Sequence, residues 1–308
     1  MKRGLHSSLA IALLAATGGY TQPSATTECA ALAGRARTDY EARRFEQAIG
    51  DFSAALRVCG PRGDLRLALG EAQLMAGHGE AASESLRLAV AADPTNVMAR
   101  KVLGDALYLM GREAEAEESL KGALALDAKF QPALYALGRI YYQQNLVPEA
   151  ISQFQRLIEL DAGNYRAHEN LGLCYEAMHR DSEALRHFLK ALELVHQDHL
   201  EYDTAHADLA EFFLRRNEFE KAFQLATEAA ARNPSSARNC FLTAKALIGL
   251  NKDELSLRWL ERATQLSPDY REAHYQLARA YQRLGRKSDA DKEFAIFREV
   301  SSKPASRR

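Results

Sequence analysis

A small residue returns every 34 positions along this chain. Counting from Gly138, the same slot holds Ala36, Gly70, Gly104, Gly138, Gly172, Ala210, Ala244 and Ala278, and each step is 34 residues except the 38 from Gly172 to Ala210. Twelve residues beyond each stands Ala48, Ala82, Ala116, Ala150, Ala184, Ala222, Ser256 or Ala290. A fixed period of this length marks stacked supersecondary units, none of which buries its apolar face alone. The residues around the pair carry helical spacing. Leu134, Leu137, Gly138 and Tyr141 fall at i, i+3, i+4 and i+7, and Ala150, Phe154, Leu157 and Ile158 at i, i+4, i+7 and i+8. Each unit therefore reads as two amphipathic helices. Gly77, Gly111, Asn145, Asn217 and Gly285 mark the turn inside a unit, and Asp93-Pro94, Asn233-Pro234 and Ser267-Pro268 end one unit before the next begins. The paired small residues mark where two antiparallel helices cross too closely for a large side chain.

These features resemble the tetratricopeptide repeat, a helix-turn-helix of the same period with small residues at its eighth and twentieth positions and a proline near its end. The resemblance divides the chain into repeats at 29–62, 63–96, 97–130, 131–164, 165–198, 203–236, 237–270 and 271–300, with an insertion at 199–202 and a basic tail at 301–308. It implies an all-α, right-handed superhelical solenoid of about eight repeats, in which the first helix of each repeat lines a concave side. Such a scaffold holds peptides or protein segments and has no chemistry of its own. The chain departs from the family pattern in three places. Arg35 stands where leucine is usual in the first repeat, His168, His206 and His274 take the slot of the family's tryptophan, and four extra residues separate repeats five and six. Four residues make about one helical turn, so the insertion reads either as a lengthened helix or as a hinge.

The resemblance assigns positions two, five, six, nine and twelve of each repeat to the concave side. Tyr108, Tyr135, Arg139, Tyr142, Arg166 and Asn170 fall there, as do Glu169 and Arg238. Tyrosine and arginine combine contact area with directed hydrogen bonds and dominate binding hot spots. These residues form the expected ligand groove, with the two arginines favouring an acidic group; the competing reading is that some of the tyrosines only pack against the next repeat. The lysine–asparagine–arginine clamp of co-chaperone members is missing, since Asn170 alone matches it, flanked by Arg139 and Asp208.

No phosphate-cradling loop, dinucleotide fingerprint, zinc-protease helix or nucleophile elbow occurs, so neither an enzyme nor a cofactor is expected. His199, Asp203 and His206 would share a helical face, but His206 fills the packing slot of His168 and His274, and no metal is expected. Cys174 and Cys240 fall on first helices as small core residues. Cys29 and Cys59 lie at the start of helix one and the end of helix two of one hairpin, ends that antiparallel helices bring together. In an exported protein that geometry favours a disulfide over two unrelated thiols.

Lys and Arg total 40 against 41 Asp and Glu, which argues against a nucleic-acid partner. Lys2, Arg3 and His6 precede an apolar run from Leu9 to Ala16, and no charge follows until Glu28. The run is far short of the ~20 residues of a membrane helix and reads as a signal peptide over 1–19, with a cleavage site near Gly19 that starts the mature chain at about residue 19 or 20, or else one after Ala25. Cys29 lies too far on for a lipid anchor. The expected protein is an exported bacterial scaffold, periplasmic or secreted, binding a peptide or protein segment; the alternative is a module for an envelope polysaccharide or cell-wall ligand. Phe294, Ile296 and Phe297 form an apolar end that reads either as a weak homodimer contact or as rings folded over their own hairpin.

Overall fold

The computed structural model describes residues 24–198 and 201–302 of the chain. The expected signal segment, the first half of the insertion with His199, and all but the start of the expected tail lie outside the described residues. Among the described residues there are sixteen helices and no strand, and fourteen of the helices pair into seven hairpins within the units. The chain forms two compact units, Met1–Arg112 and Glu113–Arg308, whose boundary falls inside the third 34-residue period.

The first unit holds α1 (Ala25–Glu41), α2 (Phe45–Cys59), α3 (Gly63–Met75), α4 (Gly79–Ala92) and α5 (Val97–Leu109). The second begins with α6 (Glu113–Leu126), α7 (Gln131–Gln143), α8 (Val147–Leu160), α9 (Tyr165–Ala177) and α10 (Asp181–Asp198). It continues through α11 (Thr204–Arg215), α12 (Phe219–Arg232), α13 (Ala237–Gly249), α14 (Asp253–Leu266), α15 (Arg271–Arg283) and α16 (Lys287–Ser302). Within each unit every helix packs against the next in sequence, the arrangement of an all-α repeat fold.

The small residues account for how closely the hairpins close. A Cβ on Gly138 would stand 2.8 Å from the Phe154 ring, and one on Gly172 would stand 2.6 Å from Phe188. Both phenylalanines are buried in the crossing those glycines open. The turns obey one rule. Arg43, Gly77, Gly111, Asn145, His179, Asn217, Asn251 and Gly285 all have φ between 57° and 84°, and all eight occupy the fifteenth position of a repeat. Glycine and asparagine tolerate this left-handed geometry; arginine and histidine do not favour it. Asn96, Asn164 and Ser236 cap α5, α9 and α13 by accepting from the backbone N–H three residues on.

The four extra residues lengthen α10, which runs 18 residues against 14 in α8. Cys29 and Cys59 are joined by a disulfide with Cα atoms 5.5 Å apart, tying the start of α1 to the end of α2. Arg35 gives the degenerate first repeat a surface contact in place of a buried one, donating to both carboxylate oxygens of Asp51 on α2 at 3.0 and 3.1 Å. At the other terminus the rings of Phe294 and Phe297 turn onto Tyr275 of α15, with centroids 6.2 and 5.4 Å away. Of that apolar end, Ile296 stays exposed.

Candidate functional site

Tyr135 and Arg139 lie one turn apart on α7, so their side chains share a face, and the Arg139 guanidinium stands 5.9 Å from the Tyr135 ring centre. The same pairing recurs at the same two register positions. Lys245 lies 5.7 Å from the Phe241 ring on α13, and Arg279 donates to the Tyr275 hydroxyl at 3.3 Å on α15. Among the described residues none of these three cations has a carboxylate within ion-pair distance. On α9, Arg166 is exposed and lies 5.6 Å from the Tyr165 ring. Tyr202, from the segment before α11, crosses edge-on to Tyr165 with centroids 4.8 Å apart. Arg166, Tyr135, Tyr165 and Tyr202 thus form one cluster of a cation among phenols.

Beside this cluster the arginines are neutralised. Arg238 of α13 reaches back to α11, donating to Asp208 at 2.6 Å and Glu211 at 2.7 Å. Arg215 of α11 donates to both oxygens of Glu176 on α9, at 2.8 and 2.5 Å, and Arg216 bridges Glu176 and Asp181. These contacts bind the first helices α9, α11 and α13 along one side. Deeper in the same side the Tyr202 hydroxyl donates to Glu169 at 2.7 Å. The Glu169 side chain is buried, and its other oxygen has no hydrogen-bond donor. Burial, reinforced by the neighbouring carboxyl of Asp208, raises the Glu169 pKa, and burial raises that of Asp208.

Of the residues expected in the groove, Tyr135, Arg139, Tyr142, Arg166 and Asn170 lie on α7 and α9 of the second unit, and Tyr108 lies half-buried on α5 of the first. Arg139 and Arg166 are the exposed members. Tyr135 does more than face outward. Its ring meets Phe154 of α8 edge-on at 6.1 Å, because the missing Cβ at Gly138 lets Phe154 rise beneath it. Tyr142 is half-buried, its hydroxyl pKa raised by burial and by charges on α9 and α11. Asn170 donates its amide to the Arg166 carbonyl at 2.8 Å, and is spent on its own helix.

The charged network escaped the sequence reading in part. Glu169 and Arg238 occupy assigned concave positions, but Tyr202 lies in the insertion, and Asp208 is brought to Glu169 only because the lengthened α10 sets the register of the next repeat. The histidine slots behave as internal packing. His168 stacks on His187 with their Nδ1 atoms 3.0 Å apart, and His274 Nδ1 lies 2.6 Å from Glu293; each second nitrogen meets a carbonyl six residues back. Burial pushes the Cys174 thiol up to about 12, leaving it inert. Among the described residues no three potential ligands cluster to hold a metal, and no helix is long and apolar enough to cross a membrane.

Comparison with known proteins agrees with this geometry. A family model described as the tetratricopeptide repeat matches residues 34–97, 67–129 and 135–199, together more than half of the chain. A second tetratricopeptide model matches 107–161, and a TPR repeat model matches 244–285. No curated protein matches by sequence. Among solved structures, MamA is 28% identical with a TM-score of 0.50, over 53% of this chain and 95% of that one. A tetratricopeptide repeat protein from Parabacteroides merdae superposes with a TM-score of 0.68 at 16% identity, covering 82% of this chain and 98% of its own. Yeast Tom70 superposes with a TM-score of 0.65 at 18% identity, covering 85% of this chain and 55% of its own. At such identities the last two speak for the fold alone.

Proposed function

The chain belongs to the tetratricopeptide-repeat family, the fold of protein-interaction scaffolds, and we propose that it is a non-catalytic adaptor that holds an acidic peptide or protein segment along its first helices. The observation that carries this reading is the recurring pair of an aromatic ring and an unneutralised cation, Tyr135 with Arg139, Phe241 with Lys245 and Tyr275 with Arg279. Between them the arginines of α11 and α13 are consumed by internal carboxylates, so acidic groups on a ligand find their partners at Arg139 and Arg166 first. The tyrosines supply stacking area at low entropic cost, and a charge-assisted contact to a carboxylate fixes register. Tyr108 occupies the register position of Tyr142 one repeat earlier, on α5 of the first unit.

We place this adaptor outside the cytoplasm, in the periplasm or beyond; the cysteine bridge of the first hairpin supports that, since disulfides persist in oxidising compartments. The second reading is an envelope polysaccharide in place of a peptide, favoured by the same rings, which stack on sugars. Isothermal titration of the protein with acidic peptides and with envelope glycan fragments separates the two. Binding of acidic peptides that weakens at least about tenfold in Arg139→Ala and in Arg166→Ala supports the first reading. Glycan binding insensitive to both substitutions replaces it with the second.

A further inference from the structure

The second-helix side of the seventh repeat departs from its siblings where packing gives no reason to. Register position nineteen holds Glu115, Glu149, Glu183, Lys221 and Asp289 in the third to sixth and eighth repeats, but Leu255 in the seventh. Leu255 is 56% exposed. Position twenty-three holds Ser119, Gln153, His187, Leu225 and Glu293 in the same repeats, but in the seventh it is Trp259, the one tryptophan of the chain. Packing explains one edge of that ring. Trp259 lies against the core cluster that contains Cys240, whose small side chain leaves room in the slot that His168 and His274 fill elsewhere. Nothing comparable calls for Leu255.

With Phe223 of α12 and Leu247 of α13, Leu255 and Trp259 wall a cleft of about 590 Å³. Arg258 and Arg262 stand one turn apart at its edge. Like charges at that spacing on a helix repel each other, and among the described residues neither arginine has a carboxylate within ion-pair distance. Glu261, the carboxylate among the lining residues, is held by the Tyr281 hydroxyl at 2.7 Å. The molecule thus keeps an apolar trough with two unneutralised cations beside it, and the seventh is the one repeat to place a large apolar side chain at both positions.

We propose that this cleft docks a partner segment of amphipathic character, large apolar side chains flanked by carboxylates, in the helix-in-groove mode. Charge selects that occupant. Apolar anchors enter between Phe223, Leu255 and Trp259, and flanking acids meet Arg258 and Arg262; tryptophan and arginine are the residues such centres favour. The chain's own terminal residues, with Lys303, Arg307 and Arg308, carry the wrong sign for it. None of the residues lining the cleft belongs to α7 or α9, which carry Arg139 and Arg166, so the protein would hold two partners at once.

Because Trp259 is the sole tryptophan, its fluorescence reads the cleft directly. The probe is a synthetic amphipathic helical peptide with leucine and phenylalanine along one face and glutamate along its flanks, compared with the same peptide carrying lysine for glutamate. The glutamate peptide should produce a saturable blue shift. The double variant Arg258→Glu/Arg262→Glu should bind it at least about tenfold more weakly and accept the lysine peptide instead, with helicity unchanged. Arg139→Ala/Arg166→Ala should titrate as the parent does, so failure of the first-helix reading leaves this one standing. Equal affinity for the two peptides, no response to either, or indifference to the charge reversal would overturn the proposal. So would light scattering that shows a dimer which Leu255→Glu dissociates, since the occupant would then be a second copy.

Discussion

His179 holds a backbone conformation that the other turns assign mostly to glycine or asparagine. A left-handed residue with a bulky side chain costs about 1–2 kcal/mol, so His179→Asn should raise the stability of the second unit by about 0.5–1 kcal/mol. Denaturant titration measures it. Histidine matters again at His168 and His187, whose rings stack with the two Nδ1 atoms 3.0 Å apart. One ring must donate and the other accept, so they cannot both be protonated. Burial lowers both pKa values, and His187 is pushed down to about 4 by burial and by His168. In the unfolded chain each would protonate near pH 6.5. The folded form therefore binds fewer protons, and the pair's contribution is complete above about pH 6.5 and lost as pH falls toward about 4. Discounted for a half-buried ring, the loss should be on the order of 1–2 kcal/mol. Urea midpoints taken across that range should fall accordingly, and His187→Gln should flatten the dependence.

At the scale of the helical hairpin, the first repeat has a neighbour on one side only and so depends on what closes it. Its disulfide spans a loop of 30 residues, which the chain-entropy model values at roughly 3–4 kcal/mol. Reduction, or Cys29→Ser with Cys59→Ser, should therefore raise hydrogen exchange in α1 and α2 well above that in α7 and α9, while far-ultraviolet circular dichroism changes little. Non-reducing peptide mapping that finds both thiols free in exported material would remove the premise. The hairpins themselves were legible in the sequence because each level of the code agrees. Helical periodicity, small residues at the crossing and turn residues at the fifteenth position all repeat in phase, and an error in one repeat is corrected by seven others. The site was less legible, because its parts do not repeat. Periodicity assigns a side chain to a face, but it does not say that Glu169 and Asp208 converge across an insertion, nor that Asn170 turns back onto its own helix. Tyr135 shows the same limit: its position points outward, and only the depth of the Gly138 crossing reveals that Phe154 lies under it.

Across the whole molecule acids and bases are near equal in number, and ion pairs run from α9 through α11 to α13. Unneutralised cations beside aromatic rings recur on the first helices α7, α13 and α15, and they carry the claim that the first helices hold an acidic partner. Arg139 and Arg166 are exposed and make no ion pair among the described residues, so replacing them should cost the fold no more than about 0.5 kcal/mol. The most direct measurement is a calorimetric titration of an acidic peptide panel against the parent protein and against Arg139→Ala/Arg166→Ala. Peptides bound by the parent should lose at least about a hundredfold in affinity for the double variant, with the melting temperature unchanged. Equal binding by the two proteins would contradict it.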